Sequence, residues 1–109
     1  MATTLKRLAA SKPGATTLTD CYTVPGSTQA VVSLITACNQ SATPTAIRIS
    51  VALAGAADTA SQYIAYDLAI GANETIEIGK GITLGAADVV RVYNTLATVS
   101  FNVFGQENT

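Results

Sequence analysis

Histidine and tryptophan are both absent from this 109-residue chain, and cysteine is limited to Cys21 and Cys38. Without histidine, the usual base of nucleophilic triads and the commonest metal ligand are missing. The wide spacing of the two thiols is not a zinc motif. Charge is scarce as well: 12% of residues are charged and 49% apolar, against about 25% charged in an ordinary soluble domain. With a formal net charge of −1 and six cations scattered from Lys6 to Arg91, no basic patch could neutralise a run of phosphates, so nucleic acid is not an expected partner. The longest mostly apolar stretch, residues 52–70, is broken by Asp58, Ser61, Gln62 and Asp67, and Lys6 and Arg7 precede no hydrophobic run. Neither a membrane span nor a signal peptide is expected. No glycine-rich phosphate loop is present. These absences lead us to expect no enzyme activity, no catalytic residues, no cofactor, no metal site and no small-molecule substrate.

What the chain does have is alternation. From Thr45, TAIRISVALA places Ile47, Ile49, Val51 and Leu53 on one face and Ala46, Arg48, Ser50 and Ala52 on the other, the pattern of a half-buried strand. QYIAYDLAI repeats it with Ile64, Tyr66, Leu68 and Ile70 inward and Tyr63, Ala65, Asp67 and Ala69 outward. ETIEI does so with Ile76 and Ile78, and TVSFNVF with Val99, Phe101 and Val103. Further strands are expected over residues 17–24, 30–38, 81–84 and 88–93, the second of them apolar on both faces and therefore central. About eight short strands separated by turn residues specify an all-β fold, a single antiparallel sandwich of jelly-roll-like or Greek-key type.

The tetrads Gly55-Ala-Ala-Asp58 and Gly85-Ala-Ala-Asp88, with the near-copy Gly71-Ala-Asn-Glu74, all fall between strands. They read as corners, glycine supplying a positive φ and the acid bonding nearby backbone amides. Each offers one carboxylate, too few oxygens for calcium. Glu74 and Glu77 are the nearest thing to a paired-carboxylate site, but three residues apart on a strand they face opposite ways. Tyr22, Tyr63, Tyr66 and Tyr93 read as core edges and interface anchors, with a sugar-binding surface as the other use of such residues. If Pro25-Gly26-Ser27-Thr28 closes a hairpin, Cys21 lies opposite Val32 and away from Cys38, so both thiols are expected to be free. The glycosylation triplets at Asn39 and Asn73 carry no weight without a secretion signal.

Residues 1–14 differ from the rest. They carry three of the six cations, place Leu5 and Leu8 at helical spacing and end at Pro13-Gly14. They read as an N-terminal arm, with residues 15–109 as the sandwich. Leu5, Lys6, Arg7 and Leu8 are its candidate partner-binding residues, the leucines lying on a neighbour and the cations reaching acidic groups there.

Four stretches, residues 15–39, 45–58, 62–94 and 98–107, together resemble small virion structural proteins of tailed bacteriophages and prophages. The likeness rests on L-x-x-x-Y-T-V-P (Leu18 to Pro25), V-x-x-I-x-x-x-N (Val32 to Asn39) and S-F-N-x-F-G-x-E (Ser100 to Glu107). It implies a β-sandwich built into the virion and assembled in the bacterial host cytoplasm, as a capsid decoration (cement) protein or as a tail or baseplate component. Its partners would be the major capsid protein or tail proteins, and no individual functional residue is carried over. A homo-oligomer is expected from the charge-poor surface. The contrasting function is a carbohydrate-binding adhesion module, which the lack of tryptophan and the Ala/Gly-rich loops disfavour.

Overall fold

The computed structural model describes residues 2–79 and 81–109. Among these residues, period-two patterning becomes nine strands: β1 Thr3–Ser11, β2 Thr19–Thr23, β3 Gln29–Asn39, β4 Thr45–Ala52, β5 Tyr63–Ile70, β6 Thr75–Ile78, β7 Ile82–Leu84, β8 Val89–Asn94 and β9 Val99–Asn108. Two short 3-10 turns, Leu53–Gly55 and Ala60–Gln62, are the only helical pieces among the described residues. One sheet runs β1-β9-β3-β6, with β7 also paired to β3, and the other runs β2-β8-β4-β5. Every strand pairing is antiparallel. Because β6 and β7 both lie along β3, they act as one interrupted strand, and the order is then that of a jelly roll.

The inner faces meet in a core that includes Val24, Val32, Ile35, Ile47, Ile49, Ile70, Val90, Val92, Val99, Phe101 and Val103. β3 is central as expected, but its two apolar faces have a specific cause. Ala30 and Val32 point inward, then the register against β9 shifts between Val32 and Leu34, and Ile35, Ala37 and Asn39 take over. One extra residue has switched the inward set from even to odd numbers.

Four expectations need correction. The segment read as an arm is the edge strand β1, paired with β9 from Thr3 to Ser11. Its leucines do not share a helical face: Leu8 packs against the core while Leu5 is 76% exposed. The open side of β9 needs a partner for its backbone groups, and that demand outweighs the weak helical spacing. Second, Pro25 to Thr28 is not a hairpin within a sheet, since it carries the chain from β2 in one sheet to β3 in the other. Both cysteines are free all the same, Cys21 on β2 and Cys38 on β3. Burial pushes the Cys21 thiol up to about 11, which keeps it protonated and unreactive at neutral pH. Third, β4 keeps Ile47 and Ile49 inward, but Leu53 is 74% exposed, and Ser50 and Ala52 on the supposedly open face are buried. Fourth, Tyr66 and Leu68 of β5, expected inward, are exposed.

A polar clamp joins the two sheets on the β1/β2 side. The Tyr22 hydroxyl of β2 donates to Glu107 Oε2 of β9 at 2.5 Å, and Lys6 Nζ of β1 lies 3.1 Å from Glu107 Oε1. The Tyr22 bond, and after it Lys6, holds the Glu107 carboxyl below its ordinary value of 4.5. A carboxylate depressed by folding stabilises the protein above its unfolded pKa, and that contribution is lost as pH falls through the folded value. Glu107→Gln is therefore expected to cost about 1–2 kcal/mol at neutral pH. The difference from wild type should shrink below pH 4.5, measured as urea midpoints across the acid range. An unchanged difference would show that the clamp does not respond to the charge on Glu107.

Candidate functional site

Facing residues on neighbouring strands set up the first half of the site. Arg48 of β4 lies directly opposite Tyr93 of β8, on the outer face of the four-stranded sheet, and its guanidinium carbon sits 4.5 Å from the Tyr93 ring centre. On the other side of β4, the step from Ile47 to Ile49 spans Leu68 back to Ala65 on β5. Between those pairs Arg48 alone faces two residues of β5, Tyr66 and Asp67. Asp67 absorbs the surplus with φ of +50°, a left-handed conformation in which aspartate is better tolerated than most residues.

That bulge moves Tyr66 to the outer face, where it is 59% exposed. Its ring lies 4.2 Å from the Arg48 guanidinium carbon and meets Tyr63 edge to face, with centres 5.0 Å apart. Arg48 is thus held against two aromatic rings, an arrangement favoured by the ring quadrupole, and its Nε donates to Asp67 Oδ1 at 2.7 Å.

The connection between β4 and β5 supplies the other wall. Thr59 begins its second 3-10 turn with a reciprocal capping box to Gln62, and Asp58 Oδ2 accepts the Tyr63 hydroxyl at 2.6 Å. That bond, with partial burial, raises the Tyr63 phenol above its ordinary value of 10.0, so it remains a donor at neutral pH. Arg91 fastens the loop to the sheet, donating from Nη1 to the Ala56 carbonyl at 2.8 Å and from Nη2 to the Gly55 carbonyl at 3.3 Å while Nε binds Asp20. Asp88 Oδ1 accepts the Ala54 amide at 2.8 Å. Ser50 is buried between Arg91 of β8 and Tyr63 of β5, its neighbours across the strands, two long side chains on the face expected to be open. The result is an open depression of about 530 Å³ lined by Arg48, Asp58, Thr59, Ala60, Tyr63 and Tyr66.

The three tetrads divide accordingly. In the second and third, Glu74 and Asp88 accept the amide of the glycine three residues earlier, Gly71 and Gly85, at 2.7 and 2.8 Å. They are corners as expected, although the positive φ falls on Asn73 and Ala87 and not on those glycines. In the first, Asp58 leaves its glycine and serves the depression. The sequence held one signal of this difference: only that tetrad is followed by Thr-x-x-Gln, a helix-start pattern. Arg48 and Asp58 were not singled out as site residues, since nothing local to β4 shows that a bulge on β5 will bring a tyrosine beside it.

The expected arm residues do not form one site. Lys6 joins the Glu107 clamp, Leu8 faces the core, and Leu5 and Arg7 are exposed on β1. Glu74 is engaged at its own corner while Glu77 stands on β6, so they make no acid pair. Tyr22 belongs to the core edge and is separate from the other three tyrosines. Asn39 is buried and bonds the Thr43 and Gly71 carbonyls, the Ser41 amide and the Thr98 hydroxyl, a structural role that leaves its amide inaccessible to glycosylation. No group of metal-ligating side chains occurs among the described residues. Compared with known protein families and with curated proteins, the chain matches none of them.

Proposed function

We propose that the protein is a structural component of a tailed-phage virion, bound to the capsid shell as a decoration (cement) protein, with no catalytic role. The observation that supports this reading is that the three sequence elements carrying the phage resemblance meet one another in space. Tyr22 of the first bonds Glu107 of the third. Val32 of the second pairs with Gly105 of the third, while its Asn39 ties together three corners. The charge-poor composition agrees, because a surface with few charges suits a molecule that works docked on a lattice.

The test is the abundance of the protein in gradient-purified particles of a phage or induced prophage that encodes it, followed by rebinding of the purified protein to particles stripped of it. Copies in proportion to shell subunits, with saturable rebinding, are the expected result. Substoichiometric copies that fractionate with isolated tails would make it a tail or baseplate component. Loss of the protein from purified particles would remove the virion reading altogether.

A further inference from the structure

The geometry points to a saccharide-binding site in the depression between Arg48, Asp58, Thr59, Tyr63 and Tyr66, one that takes a neutral pyranose unit. Sugar hydroxyls both donate and accept hydrogen bonds, while the ring carbons present an apolar C–H face. A matching site therefore needs donors and acceptors side by side next to an exposed aromatic surface. Tyr66 offers the aromatic surface. Arg48 uses only Nε in a hydrogen bond among the described residues, which leaves its terminal nitrogens as donors. Asp58, in the lining, is engaged through Oδ2, so its second oxygen can accept. The Thr59 hydroxyl already accepts the Gln62 amide in the capping box and lies 3.2 Å from Ser61 Oγ, so what it has to offer a sugar is its proton.

Charge selects among ligands. Arg48 in the lining is already paired with Asp67, so the Asp58 carboxylate leaves the site slightly negative, which disfavours phosphate, sulfate and uronic acids, while Arg48 disfavours a cation. A neutral polyol is the class that meets no like charge. The groups are also in place beforehand, with Arg48 held against two rings, Asp58 bound by Tyr63 and the loop fastened by Arg91 and Asp88. Little ordering remains to oppose binding. At about 530 Å³ the depression falls within the usual range for small-ligand sites. The inference does not rest on the virion reading, and failure of particle rebinding would leave it standing.

The experiment is a titration of the full chain, followed through its backbone amide spectrum. The probes are the methyl glycosides of glucose, galactose and mannose, then N-acetylglucosamine, with glucuronate as the charged control. A glycan array in parallel separates free sugars from immobilised chains. At least one neutral probe should give saturable shifts centred on residues 48 and 58–66, at about millimolar affinity or tighter. Glucuronate should bind at least about tenfold more weakly than that probe. Tyr66→Ala and, independently, Asp58→Asn should each weaken binding about tenfold or more while the remaining resonances keep their positions. Leu53→Ser, an exposed change outside the lining, should bind as wild type. The inference is overturned if no neutral probe saturates in either format, or if binding survives Tyr66→Ala unchanged.

Discussion

Gly105→Ala is expected to remove at least about 3 kcal/mol of stability, a large part of the roughly 5–15 kcal/mol that holds a domain folded. Gly105 lies in β9 opposite Val32, beside the shift in register that re-phases β3. A methyl group there would run into the Val31 carbonyl oxygen and come within 3.0 Å of the Val31 carbonyl carbon and the Val32 Cα. All three are backbone atoms, so no rotamer change relieves the contact. Either the bulge or the β3–β9 ladder must open. Gly26→Ala, at a position where an added Cβ meets nothing within 4 Å, is the control and should stay within about 1 kcal/mol of wild type. Thermal unfolding by circular dichroism checks both, and a Gly105→Ala protein that melts with wild type would refute the close approach.

Deleting residues 1–12 is the second large effect, with an expected loss on the order of 3 kcal/mol. That corresponds to roughly 12–24 °C in melting temperature for a domain of this size. β1 covers the outer edge of β9 through eight registered pairs, Leu8 and Ala9 pack against the core, and Lys6 completes the Glu107 clamp. Truncation exposes the backbone row of β9 to water and to other chains, and uncovers apolar surface beneath Leu8 worth about 1.5–3 kcal/mol if fully buried. The conformational entropy saved by not ordering nine residues offsets part of this loss, which keeps the net figure well below the sum of the contacts. Leu8→Ala should reproduce part of the effect and Leu5→Ala almost none, since Leu5 is exposed. If the truncated protein melts within a few degrees of wild type, β1 is a detachable arm after all.

Eight of the nine strands among the described residues were legible because a buried face imposes a period of two on the residues that line it. β1 was not. Its one inward leucine, Leu8, falls at a break in register between Arg7 and Ala9, so alternation never accumulates, and the strand it pairs with lies at the far end of the chain. The candidate site was legible only as ingredients. The tyrosines read as core edges and interface anchors, but Tyr63 and Tyr66, three apart, should face opposite ways on a regular strand. A second shift in the β4–β5 register, between Ala65 and Tyr63, turns Tyr63 to the side that Tyr66 occupies.

The alternation, the corner tetrads and the scarcity of charge were enough to determine an all-β sandwich, because those properties depend on neighbours within a few residues. Which sheet each strand joins, which side of Asp67 the tyrosine ring falls on, and whether the first strand hangs free or closes an edge were decided by partners far away in sequence. Backbone hydrogen bonding explains that division. An edge must be paired and a surplus residue must be absorbed somewhere, and only the assembled ladder shows where.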